Sequence, residues 1–168
     1  MFKNQRFHRF SGERVVDEMD ERILDALQEN ARESFRKLAA KVKAAPATVI
    51  QRVKRMEKEG ILLGYAPVLD YEKMGLEFEA IIEVTIQKGA LLEVQRRIAQ
   101  LPGVVSVYDV TGESDSMVIA RCKTRGEFSR LVKKILGIPE VQRTNTHVIL
   151  NIVKENYRMM LKEEGKKR

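Results

Sequence analysis

Two hydrophobic periods run through this chain, and the change between them near residue 76 constrains the fold more than any other feature. Up to residue 60 the apolar residues recur at helical spacing. Met19, Ile23, Ala26 and Leu27 share one face of a helix over about 17–30, whose opening turn is acidic, as the helix dipole favours. Phe35, Leu38, Ala39 and Val42 predict a second helix over about 35–43, capped by Ser34. Val49, Val53 and Met56 predict a third over about 46–59, after the short connection Lys43-Ala44-Ala45. Pro46 suits the first position of that helix, where its missing N–H would be unpaired anyway, and Gly60 tolerates the left-handed conformation that closes it. Beyond Gly75 the apolar residues alternate instead. Phe78, Ala80, Ile82, Val84 and Ile86 mark a half-buried strand over 77–87. A helix with Leu91, Val94, Ile98 and Leu101 follows, then strands Val104–Thr111 and Met117–Lys123 around the turn Gly112-Glu113-Ser114-Asp115. Phe128, Leu131, Val132, Ile135 and Leu136 form another helical stripe, and Val141–Val153 is a last long strand.

The expected fold is therefore α+β. An N-terminal three-helix (winged) helix-turn-helix domain occupies 17–64, with Ile61–Leu69 read as a short hairpin or wing and exit strand. A linker or hinge covers 65–76, and a βαββαβ ferredoxin-like domain covers 77–155, its antiparallel sheet carrying both helices on one face. Residues 1–16 read as a flexible basic arm and 156–168 as a basic tail. The opposite sheet face would hold Ile81, Glu83, Thr85 and Gln87, joined by His147, Ile149 and Val153 if Val148, Leu150 and Ile152 point inward. Its apolar members suit a subunit interface, and solvent exposure is the alternative.

The charge is concentrated. Residues 32–58 hold nine Lys/Arg against Glu33 and Glu57, a local excess equal to the +7 formal charge of the whole chain. Such clustering is the footprint of a nucleic-acid face, although an acidic partner or an anionic membrane could also use it. On the third helix, the side opposite Val49, Val53 and Met56 carries Ala47, Thr48, Gln51, Arg52, Lys54, Arg55 and Lys58, and Arg36 on the second helix adds to it. Guanidiniums, an amide and a hydroxyl are the groups that read base edges or grip phosphates. A solvated amphipathic helix would show the same pattern. Two preceding helices and a tight turn favour the helix-turn-helix plan, whose last helix enters the major groove. In the arm, Lys3, Arg6, Arg9 and Arg14 with Phe2, Phe7 and Phe10 offer a further contact or simply a disordered end.

Cys122 is the only cysteine, so an intrachain disulfide and a cysteine-based zinc cluster are excluded; in its strand it reads as a small buried hydrophobe. The basic start has no apolar signal region and no run is long enough for a membrane span, so a cytoplasmic protein without membrane partner is expected.

Several short motifs together resemble the Lrp/AsnC ("feast/famine") transcription regulators. They are Met19-Asp20-Glu21-Arg22-Ile23-Leu24, Asn30-Ala31-Arg32, Leu38-Ala39, Pro46-Ala47-Thr48-Val49 with Arg52-Val53, and Glu59-Gly60-Ile61-Leu62. The second half adds Pro102-Gly103-Val104, Thr111–Asp115, and Ile138-Pro139-Glu140-Val141 leading to Thr144-Asn145-Thr146. The resemblance implies a DNA-binding N-terminal half acting on double-stranded DNA. It also implies a C-terminal effector-and-assembly half that forms dimers and then octamers or higher discs. It implies an amino-acid effector at the positions matching Gly112, Glu113, Ser114, Asp115, Thr144 and Thr146, with no cofactor. The same turn is also ordinary hairpin chemistry. The chain departs from the family twice: Ala45 stands where a capping Ser is usual, and Ser114 stands where a larger residue precedes the aspartate. Loss of that cap costs roughly 1 kcal/mol.

Three functions compete at this point. In a sequence-specific transcription regulator, Thr48, Gln51, Arg52 and Arg55 would read bases, with Arg52 matching the family's recognition-helix arginine. A weakly specific architectural DNA-binding protein would exploit the basic arm and tail. An enzyme, by analogy with tetrapyrrole decarboxylases of this fold, would need a positioned acid–base group. The chain has only His8 and His147, and no nucleophile–base pair or phosphate loop.

Overall fold

The computed structural model describes residues 15–156; the calls on the basic arm, His8 included, and on the basic tail lie outside them but for their inner ends. The chain divides into two compact units, the second of which spans Val68–Val153.

The first unit is built from α1 (Glu18–Glu29), α2 (Phe35–Val42) and α3 (Pro46–Lys58). Asp17 caps α1 reciprocally with Asp20: the Asp20 amide donates to Asp17 at 2.9 Å and the Asp17 amide to Asp20 at 3.1 Å. Ser34 caps α2, its hydroxyl accepting from the Lys37 amide. Ala45 leaves α3 without a side-chain cap, and Pro46 at the first helical position removes one of the amides that a helix start leaves unpaired. Ile23, Leu27, Leu38, Ala39, Val42, Val49, Val53 and Met56 form the core. Phe35, expected in the stripe, is instead 40% exposed, because it is the first residue of α2 and lies at the end of the apolar face.

The expected wing does not form. Gly60 turns left-handed at φ 70°, and the amides of Ile61 and Leu62 both donate back to the Met56 carbonyl. These two residues thereby close α3 and pack against the helical core, while 63–69 form no strand.

The second unit contains β1 (Phe78–Ile86), α4 (Leu91–Ile98), β2 (Val104–Asp109), β3 (Ser116–Cys122), α5 (Arg125–Leu136) and β4 (Val141–Val148). The strands form one antiparallel sheet in the order β2-β3-β1-β4. Alternate residues of β1 from Ala80 to Ile86 point into a single core with Val94 and Ile98 of α4 and Phe128, Leu131 and Ile135 of α5, so both helices cover one face. Cys122 is buried in this core, and burial pushes its thiol pKa up. The last strand is shorter than its sequence suggests. Val148 pairs with Ala80 and the Ile149 amide reaches Glu79, and beyond that point β1 has only its first residue, Phe78, left. Leu150 and Ile152 are consequently not an inward pair: Leu150 is 95% exposed, as is nearly all of Val153. No helix of the described residues is long and apolar enough to cross a membrane.

Lys43 closes α2 in the left-handed region, φ 54° and ψ 51°, a conformation that costs a side-chain-bearing residue about 1 kcal/mol. Lys43→Gly is therefore expected to raise unfolding stability by up to about 1 kcal/mol, read from urea denaturation.

Candidate nucleic-acid interface

The outer side of α3 is not one uniform face. Ala47, Thr48, Gln51, Lys54 and Lys58 are exposed, and so are Arg36 and Lys37 on α2 and Lys43 in the turn. Ala47, Gln51, Lys54 and Lys58 recur at i, i+4, i+7 and i+11 and form one stripe. Among the described residues, Arg36, Lys37, Lys43, Lys54 and Lys58 make no ion pair. They are free to meet an anion.

Arg52 and Arg55 sit on the edge facing α1 and are half-buried. The Arg52 Nη1 donates to Asp17 Oδ2 at 2.5 Å and to Asp20 Oδ1 at 3.0 Å. Arg55 donates through Nη2 to Asp20 and through Nη1 to Glu59 at 2.9 Å. Asp20 is 1% exposed, so its carboxylate has left water and is compensated by the two guanidiniums. Periodicity put Arg52 and Arg55 on the exposed arc with the rest; it carried no information on which residues of α1 would reach them. Asp17, Asp20, Thr48, Gln51, Arg52 and Arg55 line a concavity of about 460 Å3.

Hydrogen bonding from Arg52, with help from the Asp20 amide, holds the Asp17 carboxyl below its ordinary value of 3.8. A depressed folded-state pKa means the pairing is complete above the unfolded value and is lost as pH falls through the folded one. Asp17→Asn keeps a capping oxygen but removes the charge. The difference in thermal midpoint between the native protein and Asp17→Asn is expected to be constant above about pH 5 and to shrink as pH drops below 3.8.

In the second unit, the β2–β3 turn and β4 approach one another only through β1. Ser116 and Thr144 both pair with Val84, two strand spacings apart, or roughly 10 Å. Thr144 and Thr146 lie on the helix-covered side with Val84 and Ile82, and are half-buried. Gly112 and Glu113 are exposed at the turn. Asp115 is engaged in the fold itself: its Oδ2 accepts the Ile86 amide at 2.7 Å, next to the irregularity between Thr85 and Ile86, and its own amide donates to Val84. Ser114 donates to Glu83 on the uncovered sheet face at 3.4 Å. There Glu83 also accepts from Asn145 at 3.2 Å and meets His147 at 3.3 Å; Asn145 foremost, then His147 and Ser114, lower its pKa. Beside them Arg121, only 5% exposed, pairs with Glu79 at 2.8 Å under the Tyr71 ring, 4.3 Å from the guanidinium carbon. The sequence reading missed both clusters. Alternation on β1 marks Glu83 as outward, but its partners and the Glu79–Arg121 pair need the register of three strands, and Tyr71 falls in the expected linker.

The AsnC-type helix-turn-helix domain profile matches residues 16–57, and the Lrp/AsnC ligand binding domain profile matches 79–159. An uncharacterized HTH-type transcriptional regulator of Pyrococcus furiosus is 42% identical, covering 86% of this chain and 97% of that protein. The leucine-responsive regulatory protein of Haemophilus influenzae is 30% identical over 89% of this chain and 92% of its own length. A transcriptional regulator from Neisseria meningitidis, solved as a complex with L-Met, superposes with a TM-score of 0.80 at 30% identity, covering 86% of this chain and 96% of that one. With a helix-turn-helix of α2 and α3 in one unit and a βαββαβ sheet in the other, the chain belongs to the Lrp/AsnC family of transcriptional regulators.

Proposed function

We propose that the protein binds specific double-stranded DNA sequences through the exposed side of α3. The observation that carries this is the stripe Ala47, Gln51, Lys54 and Lys58, with Thr48 beside it, capless at its start and fixed from behind by Val49, Val53 and Met56. Arg36, Lys54 and Lys58 would grip phosphates and release counterions, while Ala47, Thr48, Gln51 and Arg52 would meet base edges. Arg55, with both terminal nitrogens on carboxylates, would act mainly as a brace.

Self-association supports twofold reading of half-sites. The uncovered sheet face offers half-buried Ile81, Met117 and Ile119 with Tyr108, 54% exposed, for a homodimer that could assemble further to an octamer. Sedimentation of the full chain at several concentrations tests that assembly. The second unit's match to a ligand binding domain, and the L-Met complex of the Neisseria relative, support an amino-acid effector at Gly112–Asp115, Thr144 and Thr146. Such an effector acts only by binding two assembly states with different affinity. Unchanged assembly and DNA affinity across a panel of L-amino acids would remove it.

Fluorescence anisotropy of labelled duplexes tests the DNA contacts. Lys54→Ala and Lys58→Ala are each expected to weaken binding to all sequences alike and to reduce the salt slope by about 1. Gln51→Ala should instead relax preference among selected sequences. If all three variants bind as the native protein does, α3 is not the DNA-binding surface. Equal affinity for selected and mixed-sequence duplexes would favour the architectural reading.

A further inference from the structure

The pairing at the α1–α3 edge divides the two arginines by which donors remain. Arg52 spends one nitrogen, Nη1, on both Asp17 and Asp20, so its Nη2 and Nε edge keeps two parallel N–H groups. That edge is the fork that matches the O6 and N7 acceptors of guanine. Arg55 spends both terminal nitrogens and keeps no such fork directed outward. Asp20 cannot move to follow either arginine, because it is buried and locked to Asp17 by two reciprocal cap bonds. The acceptors on Asp17 are divided as well: Oδ1 takes the Asp20 amide and Oδ2 takes Arg52.

We propose that Asp17, backed by Asp20, is a specificity-determining positioning residue that holds Arg52 with its Nη2/Nε edge presented to a guanine in the major groove. The inference rests on the DNA-binding reading above and adds the residues that make one of its contacts selective. A long, unrestrained guanidinium attaches to any nearby phosphate and adds affinity without sequence information. The same group clasped by two carboxylates has its charge offset and its rotamer fixed, so its attraction to phosphate falls and its geometric selectivity rises. The acidic start of α1 thus does two things: it stabilises the helix terminus, and it trades non-specific attraction for discrimination.

Asp17→Asn separates these roles. The amide oxygen still caps α1, since Asn is as good a cap as Asp, but the group replacing Oδ2 is a donor and cannot accept from Arg52. Two probes serve: a duplex that the native full-length chain selects from a random-sequence pool, and a mixed-sequence duplex of equal length, each titrated across a series of salt concentrations. Asp17→Asn is expected to bind the mixed duplex more tightly, with a salt slope steeper by up to about 1. Its preference for the selected duplex should fall roughly tenfold, the scale of one bidentate base contact. Unfolding midpoints above pH 5 confirm that the variant is folded; if it is not, Asp17→Ser, which also caps, carries the test. An unchanged preference and slope in Asp17→Asn overturn the proposal, as does equal weakening on both duplexes, the result of a purely structural cap. Arg52→Ala keeps the two readings apart. If it lowers affinity for the selected duplex while Asp17→Asn changes nothing, α3 binds DNA without the clasp. If Arg52→Ala, Lys54→Ala and Gln51→Ala are all silent, or the pool yields no preferred sequence, both readings fail.

Discussion

A carboxylate removed from water must be compensated, and in this protein that requirement ties the first helix to the third. Asp20 is almost fully buried, and the two guanidiniums of α3 compensate its carboxylate. Apolar packing by Val49, Val53 and Met56 fixes how far α3 lies from the rest of the unit. Packing of aliphatic side chains is tolerant of small rotations, whereas charge-assisted hydrogen bonds at defined donors are not. The ionic edge therefore adds a directional constraint to the apolar packing that orients α3, and that orientation decides which side chains project outward.

Both units share a logic in which local pattern builds the element and long-range pairing assigns its polar groups. The three helices, the Ser34 cap and the βαββαβ order were legible because each leaves a local trace within about a dozen residues, whereas the Asp17 cap of α1 was not read. Val49, Val53 and Met56 were read as the buried set of α3 and are buried. What periodicity could not carry was the partner of each charge. Arg52 and Asp17 are 35 positions apart, and Asn145 and Glu83 are 62 apart. Where an element depended on a partner strand, the reading also failed: β4 stops within two residues of the start of β1, and the residues after Gly60 serve α3 instead of making a hairpin.

Asp115 shows how one residue type at one turn can answer to two demands. Its carboxylate stabilises the end of β1 by accepting the Ile86 amide beside the strand irregularity, and Gln95 on α4 donates to the neighbouring buried hydroxyl of Ser116. The turn is thereby anchored to a strand and a helix at once. A ligand that engaged it would act on a rigid corner of the sheet and not on a free loop.

The absence of a hairpin after α3 bears on how much a single domain can say about a DNA sequence. Within the described residues the unit offers one element for the groove, and one helix inspects only a handful of base pairs. Any word that short recurs throughout a genome, so the information needed to mark a single promoter exceeds what one copy can supply. In the proposed assembly, addressing would be a collective property: the number of copies on one DNA and the distance between their helices, more than the wording of any one half-site, would define where the protein settles.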